Sequence, residues 1–166
     1  SQWEDIYRVN LLGAARLLRA ATERMAGAVP IVSGPPVDGP APKPPADWLK
    51  RPRDIVILGS TVGRHVSPFS SLYGSAKAGV HMLAESLRRL MAPRGIRITL
   101  VEPGIVKSEF QAAAGYDPAS FGQFMDSISP VLTPEDIART VHFIVSQPAS
   151  VHINDVMIRP TRQEYP

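Results

Sequence analysis

Apolar and polar positions recur along this chain with two different periods, and each period predicts a type of element. Ile6, Asn10, Gly13 and Leu17 fall at helical spacing, so Trp3 to about Met25 is expected to form one helix with these residues on one side. A second helix is expected from Phe69 to about Met91. Ala76, Val80, Leu83, Leu87 and Leu90 lie at core spacing there, and Ala78, Gly79 and Ala84 offer small packing surfaces. Thr133-Pro134-Glu135-Asp136 reads as a helix start, with a threonine N-cap, proline at the first helical position and acidic residues in the first turn; this helix reaches about Ser146. Ile55-Val56-Ile57-Leu58 and the stretch from Gly95 to Val101 are apolar runs rich in β-branched residues, as in buried parallel strands, and a last strand falls within Val151 to Ile158. Strands alternating with helices make the fold class α/β.

Composition changes sharply between residues 30 and 52, where Pro35-Pro36, Pro40, Pro42 and Pro44-Pro45 stand among Gly, Ala and Lys. Such a stretch lacks the donors and the apolar surface to join a sheet, and an exposed, partly polyproline-like loop is expected. The rest of the 166 residues suits one compact domain. A net charge of +3 with dispersed basic residues does not suggest nucleic-acid binding. The chain has no cysteine, which excludes disulfides and thiolate metal sites and permits an intracellular, cytoplasmic location. No apolar run approaches the ~20 residues of a membrane span, and a soluble protein is expected. His65, His81, His142 and His152 fall on different elements at no metal-ligand spacing, so no metal site is expected.

Tyr73 and Lys77 carry the most chemistry. They stand one helical turn apart, so an ammonium can bias the ionisation of a phenol. A free tyrosine titrates near pH ~10 and is a poor base at neutrality without such a charge. Taken alone, the pair more often marks an amphipathic helix with a half-buried tyrosine and a solvated lysine. Its surroundings add to it. Ser60 follows the first apolar strand at Gly59, where open α/β sheets place their ligands, and the second strand runs into Glu102-Pro103-Gly104-Ile105-Val106-Lys107-Ser108, a rigid turn followed by a small hydroxyl. Two strand ends and one helix therefore aim Ser60, Tyr73, Lys77 and Ser108 at a shared crevice. The strand-end position of Glu102 permits a role on the rim.

The Tyr73-x-x-x-Lys77 pair, Ser60 thirteen residues before the tyrosine, the Pro103-Gly104-x-Val106-x-Ser108 stretch and Asn10 in an upstream helix occur in the order found in the short-chain dehydrogenase/reductase family, which the chain resembles over almost its whole length. The resemblance implies a Rossmann-like, doubly wound parallel sheet and hydride transfer between NADP or NAD and a secondary alcohol or ketone. By the same resemblance, Tyr73 exchanges the proton with the substrate oxygen, Ser60 holds that oxygen, and Lys77 stabilises the phenolate and binds the nicotinamide ribose. Asn10 brings a helix kink and a water leading to Lys77, against the alternative of a satisfied core amide. Pro103, Gly104, Val106 and Ser108 join Tyr73 and Lys77 in holding the cofactor, with the Val106 backbone at the carboxamide. Residues 107–132 become a substrate lid, against the alternative of ordinary helix packing. Helices around 2–25 and 70–91 become the interface of a homodimer or homotetramer. The C-terminal stretch from Thr133 looks like the subgroup of 3-hydroxy acid and serine dehydrogenases, which points to a small 3-hydroxy acid. The family's short connection is roughly twenty residues longer here, at 30–52.

The chain also departs from the family pattern. No two of its glycines stand two apart, so it contains no Gly-x-Gly turn to hold a pyrophosphate at a helix N-terminus, and it opens directly on a helix. It is therefore expected to be the C-terminal, catalytic part of the fold without the first strands. A non-catalytic fragment or dimerisation module that cannot bind cofactor unaided is the competing expectation. In either case residues 1–166 should hold NADP or NAD no more tightly than a millimolar dissociation constant, about 4 kcal/mol. Calorimetry tests this, and micromolar binding would show that another segment supplies a phosphate site.

Overall fold

The computed structural model describes residues 2–27, 42–109 and 117–164. Helix α1 (Gln2–Tyr7) runs through a π-helical segment (Arg8–Gly13) into α2 (Ala14–Ala26). Strand β1 (Arg53–Leu58), helix α3 (Ser71–Met91) and strand β2 (Ile96–Pro103) follow. Helices α4 (Pro118–Ile128) and α5 (Pro134–Val145) then lead to strand β3 (Asp155–Ile158). The three strands form one parallel sheet in the order β1-β2-β3, with Ile57 opposite Leu100 and Val101 opposite Val156. Parallel neighbours need crossovers, and α3 and the α4–α5 pair supply them. The outer edge of β1 pairs with no strand among the described residues.

One apolar core joins α3 to the sheet: Val80, Ala84, Leu87 and Met91 meet Ile55, Ile57, Ile96 and Ile98. The predicted core positions Ala76, Val80 and Leu87 are buried, and Leu83 and Leu90 pack against the same core. The first helix requires a correction. Leu17 is 71% exposed, and Leu18 and Thr22 are the buried positions, flanked by Leu11, Ala14 and Met25. The π-helical turn explains the shift. A π-turn takes about one residue more than an α-turn, so every later residue is rotated and the inward stripe moves one position along the chain. Gly79 serves this packing too, because a Cβ there would lie 2.9 Å from Leu11 Cδ1.

Three further local features anchor the frame. Gly95 turns the chain from α3 into β2 at φ 67°, a left-handed conformation that glycine adopts without strain. Pro44 and Trp48 lie against it, with a Cβ at Gly95 falling 2.9 Å from Pro44 Cβ and 3.3 Å from Trp48 Cβ. The described end of the proline-rich stretch, residues 42–52, is thus partly packed rather than wholly exposed; residues 30–41 lie outside the described part. Asp136, the third residue of α5, accepts from the Thr133 N–H at 2.7 Å and the Thr133 hydroxyl at 3.0 Å, so the expected helix start is there.

Arg97 on β2 is buried, and its guanidinium pairs with both oxygens of Asp54 on β1 at 2.7 and 2.8 Å. It also donates to the carbonyls of Gln147, Pro148 and Val151 at 2.9 to 3.0 Å, and so holds the chain between α5 and β3 against the sheet. Removing one member of a buried pair leaves the other charge uncompensated. Arg97→Ala is expected to destabilise the chain by about 3–5 kcal/mol in urea unfolding. Asp54→Asn should cost less, because the three carbonyl contacts remain.

Candidate active site

Tyr73, Lys77, Ser60, Asn10, Val106 and Ser108 all line a single cleft of about 1310 Å³ at the carboxyl ends of β1 and β2. Each reaches it for a local reason. Ser60 lies beyond the last residue of β1 in extended backbone, φ −169° and ψ 153°, and the next three residues turn sharply as a short 3₁₀ helix. Tyr73 and Lys77 are on the first two turns of α3, both half-buried. The Lys77 Nζ donates to the Leu58 carbonyl at 3.0 Å and lies 5.6 Å from the centre of the Tyr73 ring. This lysine is accordingly not a solvated one: it ties α3 to the strand end two residues before Ser60. Burial lowers its pKa from the usual lysine value.

Asn10 sits in the π-helical turn, where its side-chain amide donates to the Ile6 carbonyl at 3.1 Å. A π-turn redirects backbone donors from i−4 to i−5, and the asparagine adds a bond to the i−4 carbonyl. The turn after β2 is held from behind. Gly104 N–H bonds to the Ile158 carbonyl at 2.8 Å, and Ile105 N–H bonds to the Gln163 side-chain oxygen at 2.9 Å. A Cβ at Gly104 would collide with that same oxygen, so a side chain there would push Gln163 off the turn. Lys107 N–H and Ile105 C=O pair with Leu132, which turns the Val106 peptide groups to the opposite edge. Pro103 and Gly104 complete this wall of the cleft.

The far wall comes from α4 and α5. Asp117 caps α4 by accepting from Ser120 N–H at 2.8 Å, and Phe121 and Phe124 line the cleft with ring centres 6.1 Å apart. Of the segment 107–132, residues 110–116 lie outside the described part. Ile137 and Val141 of α5 close the apolar side. Among the described residues no group of three His, Cys, Asp or Glu could hold a metal ion, and no helix is long and apolar enough to cross a membrane.

Glu102 is not on the rim. It is fully buried, and its carboxylate receives both guanidinium arms of Arg64, one of them at 2.9 Å. Arg64 also reaches Asp155 at 3.3 Å. His81 Nδ1 lies 3.7 Å from Glu102 Oε2, and the Ser60 N–H donates to His81 Nε2 at 3.3 Å. A spacing argument misses this network. The available signal was the i, i+4, i+8 alignment of Tyr73, Lys77 and His81 on one face of α3.

Residues 49–118 match the family model for short chain dehydrogenases. A sulfoacetaldehyde reductase of Chromohalobacter salexigens is 35% identical over 112 residues, covering 67% of this chain and 44% of that protein. A serine 3-dehydrogenase of Rhizobium radiobacter is 31% identical over 116 residues, 68% of this chain and 46% of its own length. Among solved structures, the closed form of a serine dehydrogenase complexed with NADP+ superposes with a TM-score of 0.59 at 30% identity, over 71% of this chain and 48% of that one. A Mycobacterium avium 3-hydroxyacyl-CoA dehydrogenase type-2 gives 0.70 at 18% identity over 99% of this chain and 57% of that one, a likeness of fold. The chain thus spans less than half the length of the curated relatives it matches.

Because burial lowers the Lys77 pKa, the unfolded chain binds more protons than the folded one between the lowered value and the ordinary value near ~10.4. The contribution of Lys77 to stability must therefore rise with pH across that window. Urea unfolding at intervals up to pH ~10.5 should show the wild-type chain gaining stability relative to Lys77→Met as pH rises; a constant or falling difference would refute the burial. The motif order, the parallel sheet and these relatives all agree with the match of residues 49–118 to the short chain dehydrogenases.

Proposed function

We propose that this chain forms the catalytic half of an NAD(P)-dependent oxidoreductase that interconverts a secondary alcohol and its ketone. The observation that carries this reading is the Lys77 ammonium, set beside Tyr73 and bonded two residues ahead of Ser60 in one cleft. Tyr73 passes the proton to or from the substrate oxygen, and Ser60 holds that oxygen as charge develops on it. Lys77 favours the phenolate over the phenol and offers donors to a ribose. Asn10, one helix away on the same cleft, orders a water on the path from Lys77 to solvent. The nicotinamide cofactor supplies the hydride.

The donor set suits the nicotinamide half of such a cofactor: an ammonium, two hydroxyls and the backbone edge at Val106 line one wall together with Pro103, Gly104 and Ser108. Both NADP+ and NADH accompany the chain's structural neighbours, the former in a serine dehydrogenase and the latter in a 4-hydroxyisoleucine dehydrogenase. Helix α4, carrying Phe121 and Phe124, acts as the lid over the substrate. Leu12, Leu72 and Met82 are exposed apolar residues on the two helical stretches around 2–25 and 70–91, which supports a homo-oligomer built through them.

Likeness to serine 3-dehydrogenase brings a small 3-hydroxy acid to this chain as substrate. A second reading has a specific observation behind it. Among the described residues lining the cleft, the basic side chains are Lys77 and His142, and residues 108–132 contain no Lys, Arg or His. A carboxylate entering under Phe121 and Phe124 would meet Asp117 and find no cation on α4 to pair with, which is costly in an apolar site. A neutral substrate with an apolar substituent fits better.

With millimolar NADP+ or NAD+, a neutral alcohol such as 2-octanol is expected to exceed L-serine and 3-hydroxybutyrate in kcat/KM by about tenfold or more. The reverse order would restore the 3-hydroxy acid reading. Tyr73→Phe should lower turnover at least about a hundredfold with cofactor affinity nearly unchanged, whereas Lys77→Ala should weaken both. Retained activity in Tyr73→Phe sinks the assignment. A folded wild-type chain inactive on all three substrates would favour a non-catalytic interaction module.

A further inference from the structure

His81 has no part in the chemistry above, yet its ring is one of the most constrained side chains near the cleft. Its Nε2 lies 3.3 Å from the Ser60 main-chain N–H. An amide can only donate, so Nε2 is the acceptor and the ring proton resides on Nδ1, the atom that faces Glu102 Oε2 at 3.7 Å. Two glycines make room for the ring. A Cβ at Gly59 would collide with Nε2, and a Cβ at Gly63 would lie 2.5 Å from Cε1. The imidazole thus fills the space under the turn that carries Ser60, between α3 and the ends of β1 and β2. Glu102 is in turn fixed by the half-exposed Arg64, which also meets Asp155 of β3, so the ring rests against a buried carboxylate that is held from its outer side.

We propose that His81 is a positioning residue for Ser60: its neutral Nδ1–H form holds the Ser60 main chain through Nε2, and protonation of the ring releases the turn that presents the Ser60 hydroxyl. The assignment rests on the role of Ser60 proposed above. It makes the serine sensitive to pH without changing any group that touches substrate. The charged groups facing the ring are Lys77 from its own helix, Arg64 from the turn after β1 and Glu102 from β2, with Asp155 behind Arg64. Burial disfavours the imidazolium most; Glu102 opposes that effect, and Arg64 and Lys77 reinforce it. The ring therefore stays neutral to a lower pH than a free histidine at ~6.5, and release is confined to acidic solution. Lysine or arginine at 81 could not substitute, since neither offers an acceptor.

Two measurements on the full chain test this. In ¹⁵N-labelled wild-type protein at pH 7.5, the His81 ring should show protonated Nδ1 and bare Nε2. The Ser60 amide resonance should move on acidification with the midpoint of His81, below pH ~6.5. A protonated Nε2 at pH 7.5, or a Ser60 amide indifferent to His81 titration, overturns the proposal whether or not the chain turns over. The second measurement is kinetic, with NADP+ and the best alcohol. His81→Gln, whose side-chain oxygen can replace Nε2 as acceptor, should keep most of kcat and lose the acidic limb of its pH profile. His81→Leu should lower kcat about tenfold with cofactor affinity unchanged. Equal loss in both variants, with the acidic limb intact in His81→Gln, would mean that the ring only fills space. If the ring and the amide behave as expected while the wild-type chain is inactive, the positioning stands and the oxidoreductase reading fails.

Discussion

Strand β2 is buried from Ile96 to Glu102, yet it carries a guanidinium near its start and a carboxylate near its end. Charges in that position must be paired or the strand cannot stay inside, and much of the architecture follows from how the two are satisfied. Arg97 collects Asp54 from β1 and three carbonyls from the chain between α5 and β3. Glu102 collects Arg64 from the turn after β1 and stands beside His81 on α3. Each buried charge thereby gathers pieces of chain that no single element would bring together.

The two ends of β2 have different consequences. At the Arg97 end the contacts are with carbonyls and one carboxylate, far from the cleft, and they set the register on which β3 docks. The Glu102 end lies under the cleft, and its partners are the turn that holds Ser60 and the helix that holds Tyr73 and Lys77. Lys77 adds a second tie between that helix and the strand end through the Leu58 carbonyl. Ser60 is therefore restrained from both sides, by the lysine bonded to Leu58 two residues earlier and by the histidine under its own amide.

Opposite this rigid wall stands one of a different character. Helices α4 and α5 face the cleft with Phe121, Phe124, Ile137 and Val141, whereas the Ser60 side presents hydroxyls and an ammonium. A site with donors on one wall and aromatic rings on the other orients a substrate by its oxygen and grips it by its apolar part. The turn at Pro103–Gly104 joins the two walls, and Gln163, near the end of the described chain, holds it in place.

The sequence by itself determined what depends on short separations. Tyr73 and Lys77 are one helical turn apart, Ser60 follows a β-branched run, and Thr133 and Asp136 close their own cap, so each was legible from local periodicity and chemistry. The α/β class was legible for the same reason, since strand and helix periods alternate. Only the tertiary structure decided the rest. Leu18 rather than Leu17 faces the core because one π-helical turn advances the phase of everything after it. Pro44 and Trp48 pack because Gly95, some fifty residues along, offers a site without a side chain. Glu102 looks like a rim carboxylate in the sequence and is buried in the fold, because Arg64, thirty-eight residues before it, arrives to pair with it. The Ser60–His81 contact likewise spans twenty-one residues. Such pairs leave no period in the chain, for they exist only once β1, α3 and β2 are stacked.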